Sequence, residues 1–145
     1  MSTFDVLEAY AAARREILRI RAIEMREHDF GQKQMTILYR LTRSSASMGE
    51  LAEYTISDKA STSRTVASLE AAGDLKRVSD PDDRRVTLIE LTPKGRIKAA
   101  HAVKLRKIIA QRVNRSLGKD ERATLVELLN KMTNYLEQSR QPESK

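Results

Sequence analysis

Between Leu75 and Leu91 the chain changes texture, and this change restricts the fold more than any other feature of the sequence. Leu75–Val78 and Arg85–Leu91 are short runs rich in β-branched and aliphatic residues, separated by Ser79-Asp80-Pro81-Asp82-Asp83-Arg84. Proline among aspartates is turn chemistry, so the stretch predicts a two-stranded hairpin with a polar, exposed tip. On both sides the apolar residues return to helical spacing. A single hairpin set into a helical chain must pack on helices, because two strands cannot bury a core by themselves.

The helices read as follows. Val6, Leu7, Tyr10, Ala13, Ile17 and Ile20 recur at helical spacing from Phe4 to about Arg26. Gly31 breaks the chain, and Met35, Leu38 and Leu41 form the stripe of a second helix, with Ile37 beside it. Thr42–Ser47 is polar and predicts a loop. Ser47, with Glu50 three residues on, makes a capping-box pattern for a short helix burying Met48, Leu51 and Ala52. Ser57 or Asp58 can cap the next helix, with Thr62, Val66 and Leu69 on its inner side and Gly73 as its stop. After the hairpin, Thr92-Pro93 is a helix start, a threonine cap followed by a proline whose missing N–H costs nothing there. That helix should run to about Leu117. Gly118 then precedes a last helix with Glu121 reaching back and Leu125, Leu129, Met132 and Leu136 along one face. The tail from Ser139 is polar and is expected to fray.

The expected fold class is therefore mainly α, about six helices plus a two-stranded hairpin. The order at its centre is that of a winged helix-turn-helix. At 145 residues the chain suits one domain, residues 1–145. Within it, 31–96 form the winged lobe, and 1–28 with 97–138 form helices apolar over more surface than one small lobe can cover. Such faces usually close on a second copy, so a homodimer built on the first and last helices is expected.

Composition removes several function classes. Without cysteine there are no disulfides, thiolate metal sites or nucleophilic thiols. Two histidines leave few general bases, and no Ser/His/Asp ordering or phosphate-cradling loop appears, so an enzyme is not expected. His28 and His101 with a carboxylate such as Glu24 are the one conceivable zinc set, but lone histidines on separate elements read as structural, so no metal and no cofactor is expected. Met1–Ala13 lacks the basic-then-apolar order of a signal peptide and no apolar run reaches membrane-spanning length, which predicts a cytoplasmic protein away from membranes. The net charge of +7 permits an anionic partner, but residues 1–57 hold eight basic and eight acidic side chains, 58–96 hold eight and seven, and 97–145 hold eleven and five. Local pattern must decide whether that partner is nucleic acid.

That pattern lies in the helix after Asp58 and in the hairpin. The inner stripe leaves Lys59, Ser61, Ser63, Arg64 and Ser68 for the outer side. Small hydroxyls beside an arginine suit the major groove, where arginine can fork onto guanine O6 and N7. The same face would also serve as the solvated side of an ordinary amphipathic helix. At the hairpin tip Asp82 and Asp83 adjoin Arg84 and Arg85. An exposed arginine on a narrow ribbon can enter the minor groove, with Asp83 bracing an arginine across the turn.

From Met48 to Arg96 the residues resemble the multiple-antibiotic-resistance-regulator (MarR) family of winged-helix regulators. The carrying motifs are Glu50-Leu51-Ala52, Ser61-Thr62-Ser63-Arg64-Thr65-Val66 through Leu69-Glu70, Gly73 with Lys76-Arg77, Asp80-Pro81-Asp82-Asp83-Arg84-Arg85, and Leu91-Thr92-Pro93-Lys94-Gly95-Arg96. The helical flanks agree in number and length. Two positions depart from the pattern: Asp74 replaces an aliphatic residue, and Thr55-Ile56 lacks the glycine common in the helix-turn-helix turn. The resemblance implies a dimer whose lobes bind a pseudo-palindromic operator in double-stranded DNA, most often as a repressor. It implies that Arg85 enters the minor groove with Asp83 as its brace and Arg84 beside it. Ser61, Ser63 and Arg64 would read the major groove, with Lys59 and Ser68 on phosphates.

The resemblance also implies a small anionic or aromatic effector. Two basic sets invite one, Arg14, Arg15 and Arg19 (with Arg21) in the first helix and Lys104 in the acid-free stretch from Lys98 to Arg115. Both sets better suit solvated faces or pairing with Glu8, Glu16 and Glu24 of a second copy. The alternative to DNA binding is a winged-helix scaffold that contacts protein.

Overall fold

The structure, a computed structural model, describes residues 5–28 and 31–140. Phe4, the expected start of the first helix, lies outside the described residues, as does the tail after Arg140. The elements run α1 (Val6–Glu24), α2 (Gln32–Leu41), β1 (Ala46–Ser47), α3 (Met48–Thr55), α4 (Lys59–Ala71), β2 (Leu75–Ser79), β3 (Thr87–Leu91), α5 (Pro93–Ser116) and α6 (Lys119–Ser139). The chain divides into two compact units, residues 1–109 and 110–145, and the division falls inside α5. Among the described residues no helix is long and apolar enough to cross a membrane.

The helix boundaries follow from local chemistry. Ser47 Oγ accepts from the Glu50 N–H to cap α3, and Asp58 Oδ1 accepts from the Ser61 N–H at 2.7 Å to cap α4. Each satisfies a donor that the first turn of a helix leaves free. Gly73 follows α4 with φ of 79°, the left-handed stop its position requires. Thr92 Oγ accepts from the Gly95 N–H to open α5, and Glu121 Oε2 accepts from the Gly118 N–H to open α6.

In the first unit the core gathers Met35, Ile37, Leu38 and Leu41 of α2, Leu51 of α3, Val66 and Leu69 of α4, Leu75, Ile89 and Leu91 of the hairpin, and Ala99, Ala102 and Leu105 of α5. The sheet has three strands in the order β1-β3-β2, all antiparallel. The expected hairpin is thus present and gains a strand. Ala46 and Ser47, read as loop, pair with Ile89 and Leu88. Two residues carry no periodicity, so only the free edge of β3 reveals them.

Two junctions fix the hairpin and α5 on the end of α4. A Cβ on Gly95 would stand 1.9 Å from the Asp74 carbonyl oxygen, so only glycine lets α5 approach this closely. There Thr92 Oγ donates to the Gly73 carbonyl, the Thr92 N–H donates to the Asp74 carbonyl, and Lys98 Nζ lies 2.9 Å from the buried Asp74 carboxylate. On the other side Arg77 of β2 donates to Glu70 of α4 at 3.0 Å. Asp74, the departure noted in the sequence, is wholly buried. Its charge is accommodated by Lys98, one turn beyond Lys94 on α5.

In the second unit α6 has no buried residue, and Leu125, Val126, Leu128, Leu129, Tyr135 and Leu136 are exposed. In the first unit α1 likewise buries none of its residues, leaving Val6, Leu7, Tyr10, Ile17 and Ile23 exposed.

Candidate nucleic-acid interface

α4 has a well-defined inner side, where Thr62, Val66 and Leu69 are sealed from solvent. At 3.6 residues per turn the opposite side carries Ala60, Arg64, Ala67 and Ala71, all exposed. Arg64 is the one long side chain on that line. Of the other expected outer residues, Lys59 and Ser68 are exposed, while Ser61 and Ser63 are half-buried on the flanks.

The serine hydroxyls are not idle. Lys33 Nζ of α2 donates to Ser61 Oγ at 2.5 Å, and Gln34 Nε2 donates to Ser68 Oγ at 3.3 Å. Lys33 and Gln34 escaped the sequence reading, because they lie on another helix and only packing brings α2 across α4. Ala60 and Ala67 escaped it too, since alanine carries no polar signal. Their small side chains let another surface approach the α4 backbone on either side of Arg64.

At the start of α4, Asp58 is held below the usual carboxylate range, chiefly by the hydrogen bond from the Ser61 N–H, with smaller contributions from Arg64 and Lys33. The turn before it contains Ile56 at φ 52°, ψ 49° with 90% of its surface exposed. It belongs to the Thr55-Ile56 pair, which lacks the glycine common in the turn of the resembling proteins.

The hairpin tip is organised by its acids. Asp82 N–H donates to Asp80 Oδ1 at 2.9 Å, and Val86 N–H donates to the Asp83 carbonyl at 2.9 Å. Arg85 meets Asp83 three times, with Nε on Oδ1 at 3.0 Å, Nη2 on Oδ2 at 3.0 Å and its N–H on Oδ1 at 3.1 Å. This forked contact fixes the direction of a side chain that is 90% exposed. Asp83 is lowered by the arginine hydrogen bonds and Arg85 is raised by the same pair. Arg84 beside it is exposed. The arrangement is a pre-aimed cation on a narrow ribbon.

The expected effector residues behave differently from one another. Arg15 pairs with Glu8 at 3.1 Å and Arg19 with Glu16, both within α1. Arg14 and Lys104 are exposed. Arg21 donates to the Gln32 carbonyl and to Thr36 Oγ, tying α1 to α2, and burial lowers its pKa. A cavity of about 300 Å³ is lined by Thr42, Leu91, Arg96, Ala100 and Val103, and so by none of those five cations. His28 and His101 do meet, with ring centroids 4.9 Å apart, but the described residues contain no group of three or more acidic or histidine side chains able to hold a metal.

Comparison with known proteins places this geometry. The family model described as MarR family matches residues 28–86, which hold α2 to α4, β2 and the whole hairpin tip. The HTH-type transcriptional regulator YdgJ of Bacillus subtilis (strain 168) is 29% identical over 102 residues, which cover 70% of this chain and 61% of that protein's length. BpsR of Bordetella bronchiseptica, whose DNA binding is regulated by 6-hydroxynicotinic acid, is 26% identical with a TM-score of 0.75, covering 92% of this chain and 96% of that one. FabT of Streptococcus pneumoniae, solved in complex with DNA, shares the fold at 19% identity and a TM-score of 0.76, covering 93% and 97%. The helix order, the short antiparallel sheet and the motifs from Met48 to Arg96 agree with these matches, and residues 28–86 are similar to the MarR family of transcriptional regulators.

Proposed function

We propose that the chain is a sequence-specific double-stranded-DNA-binding regulator without enzymatic activity, acting in the cytoplasm as a dimer on a pseudo-palindromic operator. The observation that carries this reading is the joint presentation of Arg64 and Arg85 by one packed lobe. Arg64 stands on the open side of α4, between residues too small to block a groove. Arg85 stands on the ribbon beside it, already aimed by Asp83. Arg64 would read guanine in the major groove and Arg85 would enter the minor groove. Ser63 would read bases, and Lys59 and Arg84 would contact phosphates. Ser61 and Ser68 would act with the α2 side chains that hold them.

The dimer is supported by the bare apolar faces of α1 and of α6, each too hydrophobic to stand in water. A twofold pair sets its reading helices about 34–36 Å apart, one turn of the duplex. We further propose that the protein represses, and that a small anionic or aromatic molecule releases it, as 6-hydroxynicotinic acid regulates BpsR. Arg14 and Lys104, with Arg15 and Arg19 once freed from their glutamates, are the cations for such a molecule.

The test is capture of genomic fragments by the purified protein, followed by titration of the recovered site and of a scrambled one across a salt series. Specific binding that weakens steeply with salt supports the reading. Equal, weak binding of both fragments at every salt concentration rejects it in favour of a protein-contacting scaffold.

A further inference from the structure

The α2 helix puts a cation onto the start of α4. Lys33 Nζ donates to Ser61 Oγ, in the first turn of α4, and is half-buried there. An ammonium has three donors, and this contact uses one of them. Among the described residues no carboxylate lies within ion-pair distance of Lys33. Lys33 of α2 and Arg64 of α4 both contribute to holding the Asp58 carboxyl below its usual range, after the Ser61 N–H.

This arrangement answers a problem in the DNA reading. Asp58 caps α4 well but sets a negative charge at the end that must approach the phosphate backbone. A bare carboxylate there repels the duplex. Arg64 offsets it from one side, but is committed to the open face of α4. Lys33 offsets it from the other, on the flank where Ser61 lies, away from the base-reading line of Ala60, Arg64 and Ala67.

We propose that Lys33 is a further DNA contact, neutralising one backbone phosphate beside the start of α4 while its hydrogen bond to Ser61 holds it there. The proposal rests on the DNA-binding reading and adds to it a residue outside the helix-turn-helix segment proper. Its contact is with the backbone, so it carries affinity without sequence preference.

Salt dependence tests it, because each neutralised phosphate contributes about 0.9 to the slope of log K against log salt. The dimer carries two copies of Lys33, so Lys33→Gln should lower the slope by about 1.8. Between 50 and 200 mM salt, the wild type should therefore lose about 12-fold more affinity than the variant. The loss should be equal for the operator and for single-base variants of it. Lys33→Arg keeps the charge and should keep the slope. An unchanged slope in Lys33→Gln overturns the proposal even if affinity falls, since a purely packing role moves affinity without releasing ions. A wild-type protein that shows no salt-dependent operator binding overturns the parent reading and this one together, an outcome separable from the first by the wild-type titration alone.

Discussion

Lys98 sets its ammonium 2.9 Å from Oδ2 of Asp74, a carboxylate whose side chain is 1% exposed and whose other oxygen has no hydrogen-bond partner among the described residues. The pair joins the third residue after α4 to the second turn of α5. Removing one charge strands the other, whereas replacing both with apolar groups of similar size removes the desolvation cost. Lys98→Met should destabilise the protein by about 3 kcal/mol, the low end for a broken buried pair because Lys98 keeps some exposure. Asp74→Leu with Lys98→Met should recover stability to within about 1 kcal/mol of wild type or exceed it. Denaturant titration of the two proteins checks the order, and a double variant weaker than the single one contradicts it.

Gly95 lies at the same junction, and its reason is distance alone. Gly95→Ala drives a methyl to 1.9 Å from the Asp74 carbonyl oxygen, which is backbone and cannot swing away. The expected loss is about 1–3 kcal/mol or more, read as a fall in melting temperature. Unaltered melting would mean that α5 slides at no cost.

Ile56 should respond in the opposite direction. A β-branched residue held at φ 52° costs about 1–2 kcal/mol, part of which glycine returns as unfolded-chain entropy. At 90% exposure the side chain packs on nothing whose loss would be felt. Ile56→Gly should therefore stabilise the protein by about 0.5–1 kcal/mol in denaturant titration. A loss of stability would show that the isoleucine makes a contact of value.

The acids of the turn and the cap give a pH prediction. Asp83 is lowered chiefly by the Arg85 side chain, and Asp58 chiefly by the Ser61 N–H. For a carboxyl lowered by folding, the stabilisation is complete above the unfolded value, about 3.9, and disappears as pH falls through the lower folded value. The brace and the cap are thus intact at neutral pH and fail only in acid. Carboxyl resonances followed by NMR should titrate below about 3.9 in the wild type, and Asp83 should move up in Arg85→Ala. An Asp83 midpoint indifferent to that substitution would mean the fork does not persist in solution.

The two arginines should separate by kind. Arg64→Ala should cost about 1–3 kcal/mol of operator binding and blunt the preference at one base position. Arg85→Ala should weaken binding while leaving dimer mass and melting temperature as they were, since its partners are all within the turn. Fluorescence anisotropy on a panel of mutated operators distinguishes them. Equal effects at every base for Arg64→Ala would reject its reading role, and a collapse in melting for Arg85→Ala would make that arginine structural.

What the chain declares by itself is everything decided within a few residues. Ser47, Asp58, Gly73, Thr92 and Glu121 act on donors and acceptors three or four positions away, so caps, stops and helix order could be read directly, with the Asp83–Arg85 brace among them. The motifs from Met48 to Arg96 carried the family resemblance for the same reason, being local in spacing. Tertiary structure alone decided what spans the sequence. Ala46 and Ser47 become a strand only where β3 offers its edge, and Asp74 accepts burial only because α5 delivers Lys98. Ser61 and Ser68 take partners from α2, and His28 finds His101 on α5. Hydrogen bonds and ion pairs act over about 3 Å whatever the separation along the chain, and that separation is what periodicity and spacing cannot see.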